Sequence, residues 1–226
     1  VNDKPRKSSW QHSLNGVWKF IYAPTIAASI KDFYRIDLPD SNWDTITVPS
    51  NWEIQGFGEP IIRNIQYVFS SNPPYIDVDN PVGTYRRTFT VPRNWQEREV
   101  FLHFGSISGY ARIYVNGQQV GMTKASKTPA EFNVTNYMKE GENLLAVQIY
   151  RWHDGSYMED QDFWRLTGIE RDVFLQAYPK LTIWDFFLKS SLDSTYKNGI
   201  FNATVDLREF TGNNVKKRNT QTGIIG

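Results

Sequence analysis

Between Tyr150 and Val173 the chain reads YRWHDGSYMEDQDFWRLTGIERDV. Its densest group of acids is Glu159, Asp160 and Asp162, set around Gln161. Trp152, Tyr157, Phe163 and Trp164 stand among them, with Arg151, Arg165 and Arg171 close by in sequence. Carboxylates accept hydrogen bonds from hydroxyls, and flat rings cover the C–H face of a pyranose, so the stretch carries what a sugar site needs. In an extended chain Asp160 and Asp162 share one face and Glu159 takes the other. Two such carboxylates can be a glycosidase pair, a cation site or a hydrogen-bond clamp on a sugar. A retaining glycosidase needs its carboxyl groups about 5–5.5 Å apart and an inverting one about 6.5–9.5 Å. The i, i+2 pair can meet that spacing, but both acids lie on one wall, whereas acid and nucleophile must flank the bond. A structural role, paired with Arg151, Arg165 or Arg171, competes with ligand or cation contact.

The remaining reactive residues make a short inventory. His12, His103 and His153 lack metal-ligand spacing. His103 reads as a pleat residue of a strand, and His153 could be oriented by Asp154 beside it. The chain has no cysteine, which excludes disulfides, thiolate chemistry and Cys-based zinc sites. Neither a G-x-S-x-G nucleophile elbow nor a phosphate-binding glycine motif occurs. Gly105-Ser106-Ile107-Ser108-Gly109 lacks the elbow pattern and reads as a turn. Asn64, within IIRNIQY, reads as a loop asparagine. Asn202-Ala203-Thr204 fits the glycosylation sequon, which matters only in a eukaryotic secretory setting.

The elements that must position these residues are strands. Trp18 and Phe20 share a face, with Lys19 opposite. Residues 84–91 alternate Tyr85, Arg87, Phe89 and Val91 against Thr84, Arg86, Thr88 and Thr90. Val100 to Phe104, Ala111 to Val115, Gln118 to Met122, Leu144 to Arg151 and Arg171 to Ala177 follow. Asn116-Gly117 between two such runs predicts a hairpin. Ala27 to Tyr34 could form one or two helical turns. Residues 48–81 predict a long ordered loop, because its rings (Trp52, Phe57, Tyr67, Phe69, Tyr75) want burial. Strands so spaced, with almost no helix, predict an all-β sandwich, and the long excursion suits a jelly roll. Pro179 marks a boundary between a first domain, 1–180, and an incomplete second domain, 181–226. Leu181 to Ser190 and Gly199 to Phe210 read as strands of that second domain. The last sixteen residues show no periodicity, and Lys216, Lys217 and Arg218 read as a solvated tail.

The totals exclude more than they assign. With 226 residues and 40% hydrophobic content a core is possible. A net charge of +1 gives no field for nucleic acid or acidic lipid. No apolar run approaches the roughly 20 residues that span a bilayer, so no membrane partner is expected. The segment after Val1 lacks the apolar core of a signal peptide, which leaves the cytoplasm and the periplasm both open. The 8 Trp, 12 Tyr and 14 Phe serve cores and carbohydrate platforms alike.

Three stretches resemble the N-terminal region of family 2 glycoside hydrolases, the large β-galactosidases in particular: VPSNWEIQGFGEPIIRNIQY, NPPYIDVDNPVGTYRRTF, and the run from Val115 to Val173 that ends in the acid-rich segment above. The likeness covers roughly residues 10–180. It implies a jelly-roll, galactose-binding-like sandwich followed by the start of an immunoglobulin-like sandwich near Leu181. It implies retaining hydrolysis of β-galactosides by two glutamates of a later TIM barrel, for which this chain has no room. Magnesium would bind in that barrel. Asp162 matches the family aspartate that contacts galactose and helps hold sodium, and Asn64 matches a sugar-contacting asparagine. Asp160 is expected to be structural, and Phe163 and Trp164 to pack the loop. Lys124 stands where relatives carry an uncharged residue, which argues against an extra cation there. The expected partners are galactose or a β-galactoside, the catalytic barrel, and further copies of the full-length enzyme. A self-sufficient carbohydrate-binding module and a bracing domain are the rival readings.

Overall fold

The computed structural model describes residues 8–62, 67–159 and 162–211, with the backbone of 214–220 and 224–225. The chain divides into two compact units, Val1–Arg93 with Val100–Gln176, and Asn94–Glu99 with Ala177–Gly226.

In chain order the strands up to the boundary are β1 Gln11–Ser13, β2 Gly16–Ala23, β3 Asp44–Val48, β4 Ser50–Asn51, β5 Ile61–Ile62, β6 Val82–Thr90, β7 Glu99–Phe104 and β8 Ile107–Ser108. They continue as β9 Tyr110–Val115, β10 Gln118–Thr123, β11 Ala130–Asn133, β12 Glu142–Tyr150, β13 Trp164–Arg165, β14 Gly168–Ile169 and β15 Val173–Tyr178. One sheet runs β10-β9-β12-β6-β2-β3 and the other β1-β15-β7-β11. This is the β-sandwich that the spacing of strands predicts.

The two-residue period builds the core. Trp18, Phe20, Tyr85, Ile113, Val147 and Ile149 are fully buried on the first sheet, and Val100, Leu102, Phe104 and Leu175 on the second. Phe20 lies 4.7 Å from Tyr85 and 4.8 Å from Phe57, which brings the long loop into the same core. Each such side chain contributes about 1.5–3 kcal/mol by leaving water. The Asn116-Gly117 turn has positive φ at both residues (50° and 82°), the mirror-image turn that matches strand twist.

The outer face of the larger sheet is covered by residues 24–43. Arg86, 3% exposed, donates from Nε to Asp40 at 2.9 Å and from Nη1 to the carbonyls of Phe33 and Arg35 at 2.7 and 2.8 Å. Gln148 Nε2 donates to the Ile30 carbonyl at 3.0 Å. These bonds explain why Ala27 to Tyr34 forms turns, such as Ser29 N–H to the Ile26 carbonyl, in place of the expected helical turns. The carbonyls that would extend a helix are taken by side chains of the sheet.

Two further expectations are corrected. Ile107 and Ser108, read as part of a turn, form β8, paired with β14 in a small sheet with β4. The final segment, read as aperiodic, has the backbone of two strands: β18 Asn214–Thr220 and β19 Ile224–Ile225, both antiparallel to β17 Gly199–Thr211, which also pairs β16 Leu181–Leu192. A long antiparallel ladder needs only backbone donors and acceptors, so side-chain alternation is a poor guide to it. Within this second unit Trp184 is held by Arg208, whose guanidinium lies 3.9 Å over the ring.

Candidate functional site

The site grows from the end of β12. Arg151 and Trp152 leave the sheet there, and the chain turns into a short 3-10 segment, Asp154–Met158. His153 caps it: its Nδ1 accepts the Gly155 N–H at 3.1 Å, and its own N–H donates to Ser156 Oγ at 3.1 Å. The cap gives Nδ1 a structural role, while the buried Nε2 lies 3.9 Å from Glu159 Oε1. Burial lowers its pKa, outweighing the opposing fields of Glu159 and Asp154.

Tyr157 ties the long loop to this turn. Its hydroxyl contacts the carbonyls of Ser70 and Tyr75 at 2.9 and 2.6 Å, and Tyr67 OH donates to the Tyr157 carbonyl at 2.6 Å. Phe69 sits 4.8 Å from Tyr157 and 5.6 Å from Trp152. Phe69 is therefore buried and Tyr67 half-buried against the acid-rich stretch, while Tyr75, expected to be buried, is 69% exposed.

Beneath this cluster lies a buried ion pair. Arg151 Nη2 is 3.6 Å from Glu53 Oε1, with the side chains 5% and 0% exposed. Glu53 Oε2 accepts the Thr167 N–H at 2.9 Å. Burial raises the Glu53 pKa against the pull of Thr167 and Arg151, and burial lowers that of Arg151 against the pull of Glu53. Desolvation thus exceeds attraction on both sides of the pair. Glu170 is a second node: it accepts from Asn51 Nδ2 at 3.0 Å, Ser106 Oγ at 3.1 Å and Lys127 Nζ at 2.7 Å. Gly168, at φ +138°, lets β14 close on β4, since a Cβ there would meet the Ser50 carbonyl at 2.8 Å.

Above these nodes opens a cleft of about 220 Å³, lined by Tyr67, Trp152, Glu159, Phe163, Trp164 and Arg165 among others. Lys127 Nζ and the Arg165 guanidinium lie over the Phe163 ring at 5.2 and 5.7 Å. Trp164 is 49% exposed. The expectation that it packs the loop is therefore corrected: β13 alternates, and pairing with β5 turns Trp164 outward and Arg165 inward.

Asp162 is exposed, in the bend that enters β13. Its carboxylate has no hydrogen bond or ion pair to another described residue. Asn64 and Asp160 lie outside the described residues. Among the described residues Arg151 meets Glu53, and Arg165 Nη1 donates to the Glu159 carbonyl; the expected pairing of an arginine with Asp160 lies outside the described residues. An exposed carboxylate fits a hard cation as one oxygen ligand. Among the described residues no three His, Asp or Glu gather as a fuller cage. Near Lys124 the cation is built in, its Nζ 2.8 Å from Asp154 Oδ1. Sequence reasoning passed over Glu53 and Glu170. Both lie in stretches that carry the family resemblance, but only the fold shows that each collects donors from distant loops.

Residues 11–179 match the family described as glycosyl hydrolases family 2, sugar binding domain. A β-galactosidase of Priestia megaterium is 41% identical over 211 residues, 91% of this chain and 20% of its own length. A β-galactosidase of Vibrio cholerae is 42% identical over 201 residues, 89% of this chain and 20% of its own length. The chain thus spans about a fifth of these relatives. Among solved structures, a β-glucuronidase of an uncultured Clostridium sp. superposes with a TM-score of 0.69 at 25% identity, over 98% of this chain and 40% of that one. A Bacteroides uniformis β-glucuronidase gives 0.68 at 21%, over 95% and 27%, a likeness of fold.

Proposed function

The chain belongs to glycosyl hydrolase family 2 through its sugar-binding domain, and we propose that it is the N-terminal sugar-binding portion of a β-galactosidase. Asp162 and Asn64 contact galactose, and Asp162 is one ligand of a sodium ion. The two catalytic glutamates belong to a barrel outside these 226 residues, so this chain supplies one wall of the site and performs no bond cleavage. Residues 1–180 form the sugar-binding domain, and 181–226 begin the next.

The observation that carries the reading is the exposed Asp162 carboxylate, engaged by no described partner and next in sequence to Phe163 and Trp164, which line an aromatic cleft. A carboxylate has about four acceptor sites, enough to take a sugar hydroxyl and a cation together. An asparagine amide donates to one hydroxyl and accepts from another, which suits it to reading stereochemistry. The likeness to β-galactosidases in sequence, well above that to β-glucuronidases, favours a neutral hexose over a uronic acid.

The test is a calorimetric titration of the chain with galactose, with sodium and with potassium, and with glucuronate as control. Binding of galactose, tighter in sodium and lost in Asp162→Ala, is expected. Equal binding of glucuronate, or galactose binding untouched by Asp162→Ala, removes the proposed contact. Hydrolysis of a β-galactoside by the pure chain would place the catalytic acids here and overturn the division of labour.

A further inference from the structure

We propose that Arg151 is the positioning residue for the sugar-contacting edge, an inference that rests on the role proposed above for Asp162 and Asn64. Its guanidinium reaches across two strands. Nη1 and Nη2 both donate to the Glu59 carbonyl at 3.2 Å, and Nη2 donates to the Arg165 carbonyl at 2.7 Å. Glu59 stands two residues before β5, and Arg165 closes β13. The fork therefore ties together the two strands of a ladder that is only two pairs long, Arg165↔Ile61 and Trp164↔Ile62.

So short a ladder has little stability of its own. Its far pair, Ile62↔Trp164, is where the chain departs toward both proposed contacts. Asn64 is two residues beyond Ile62, and Asp162 two residues before Trp164. Whatever fixes the ladder fixes the point from which both residues start. Arg151 is itself fixed, by its backbone N–H to the Pro81 carbonyl at 3.0 Å, by the Trp152 ring 5.0 Å from its guanidinium carbon, and by Glu53. It stands at the end of β12, a central strand of the larger sheet. The sandwich thus reaches the sugar edge through the Arg151 side chain. Two carbonyls on separate segments, one leading into β5 and one closing β13, call for a planar fork, which a single ammonium cannot copy.

The experiment compares amide hydrogen exchange in the wild-type chain, Arg151→Lys and Glu53→Gln, read at residues 61, 62, 164 and 165. Arg151→Lys keeps the charge facing Glu53 and loses the fork. Exchange of the ladder amides is expected to rise about tenfold or more while Val147 and Ile113 in the sheet stay protected, a local opening. Galactose affinity should fall with it. Glu53→Gln retains an acceptor for the Thr167 N–H and leaves both carbonyls on the fork, so whatever stability it costs should be shared with Val147 and Ile113, and the ladder should not open selectively. Unchanged ladder exchange in Arg151→Lys overturns the inference. Equal opening in Glu53→Gln overturns it too, since charge and not the fork would then set the strands. If Asp162→Ala leaves galactose binding intact, it is the sugar contact that fails, and the exchange arm still decides the role of Arg151.

Discussion

Arg151 Nη2 and Glu53 Oε1 lie 3.6 Å apart with both side chains buried, and each charge is disfavoured by its burial more than it is favoured by the other. Such a pair adds little net stability when intact and costs much when halved, because one charge is left alone in a poor solvent. Arg151→Met should therefore destabilise the first unit by about 3–5 kcal/mol. Arg151→Met combined with Glu53→Gln should recover some of that loss. Urea unfolding of the single and double variants measures both numbers, and equal loss in the two would show that the lost hydrogen bonds dominate.

His153 predicts a pH dependence of known sign. Burial lowers its pKa below the ordinary value of 6.5, while Glu159, Asp154 and Lys124 are the charged groups around it. The unfolded chain then binds the proton more tightly than the folded one. Stability is full above 6.5 for this group and falls as pH drops from 6.5 toward the lowered folded value. His153→Asn should flatten the slope of melting temperature between those limits. A slope unchanged in this variant would assign it to other groups.

Asp193 titrates at lower pH. In the turn after β16 its Oδ1 accepts from Thr195 Oγ1 at 2.8 Å and its Oδ2 from Asn198 Nδ2 at 2.7 Å. These bonds lower its pKa from 3.8 to about 2. What the turn gains is present above 3.8 and lost as pH falls through about 2. Carbon NMR of the carboxyl should titrate near 2, and Asp193→Ala should speed amide exchange at Lys197 and Asn198, whose N–H groups it accepts. A carboxyl titrating at its ordinary value would show that the turn does not hold in solution.

Two tryptophans should part company. Trp18 is 1% exposed and Trp164 is 49% exposed. Trp18→Ala should cost about 3–5 kcal/mol of stability, the usual loss on emptying a core site that size. Trp164→Ala should stay within about 0.5 kcal/mol. If Trp164 faces the bound sugar, its substitution should weaken galactose binding while leaving the melt unchanged, and its fluorescence should shift on titration. Loss of stability in Trp164→Ala would return it to a packing role.

What the sequence determined by itself is the class of fold and the family. Alternation at Trp18/Phe20 and Tyr85/Arg87/Phe89 follows from the two-residue pleat, which any strand half-buried against a core must show. Asn116-Gly117 announces its hairpin because both turn residues need positive φ. The acid-rich tract shows in composition that rings and carboxylates meet. What only the tertiary structure decided is how they are held. Arg86 and Arg151 look alike as single letters near strand positions. One fastens a covering segment to the sheet, and the other ties a short ladder to it, because each meets carbonyls that arrive from elsewhere in the chain. Glu53 and Glu170 become nodes for the same reason, drawing donors from residues more than a hundred positions away. Trp164 faces outward because β13 pairs with β5, a register that backbone hydrogen bonds set between strands far apart in the chain. Local spacing tells which side of a strand a residue takes, but not which side the core will be on, and that choice belongs to the partner strand.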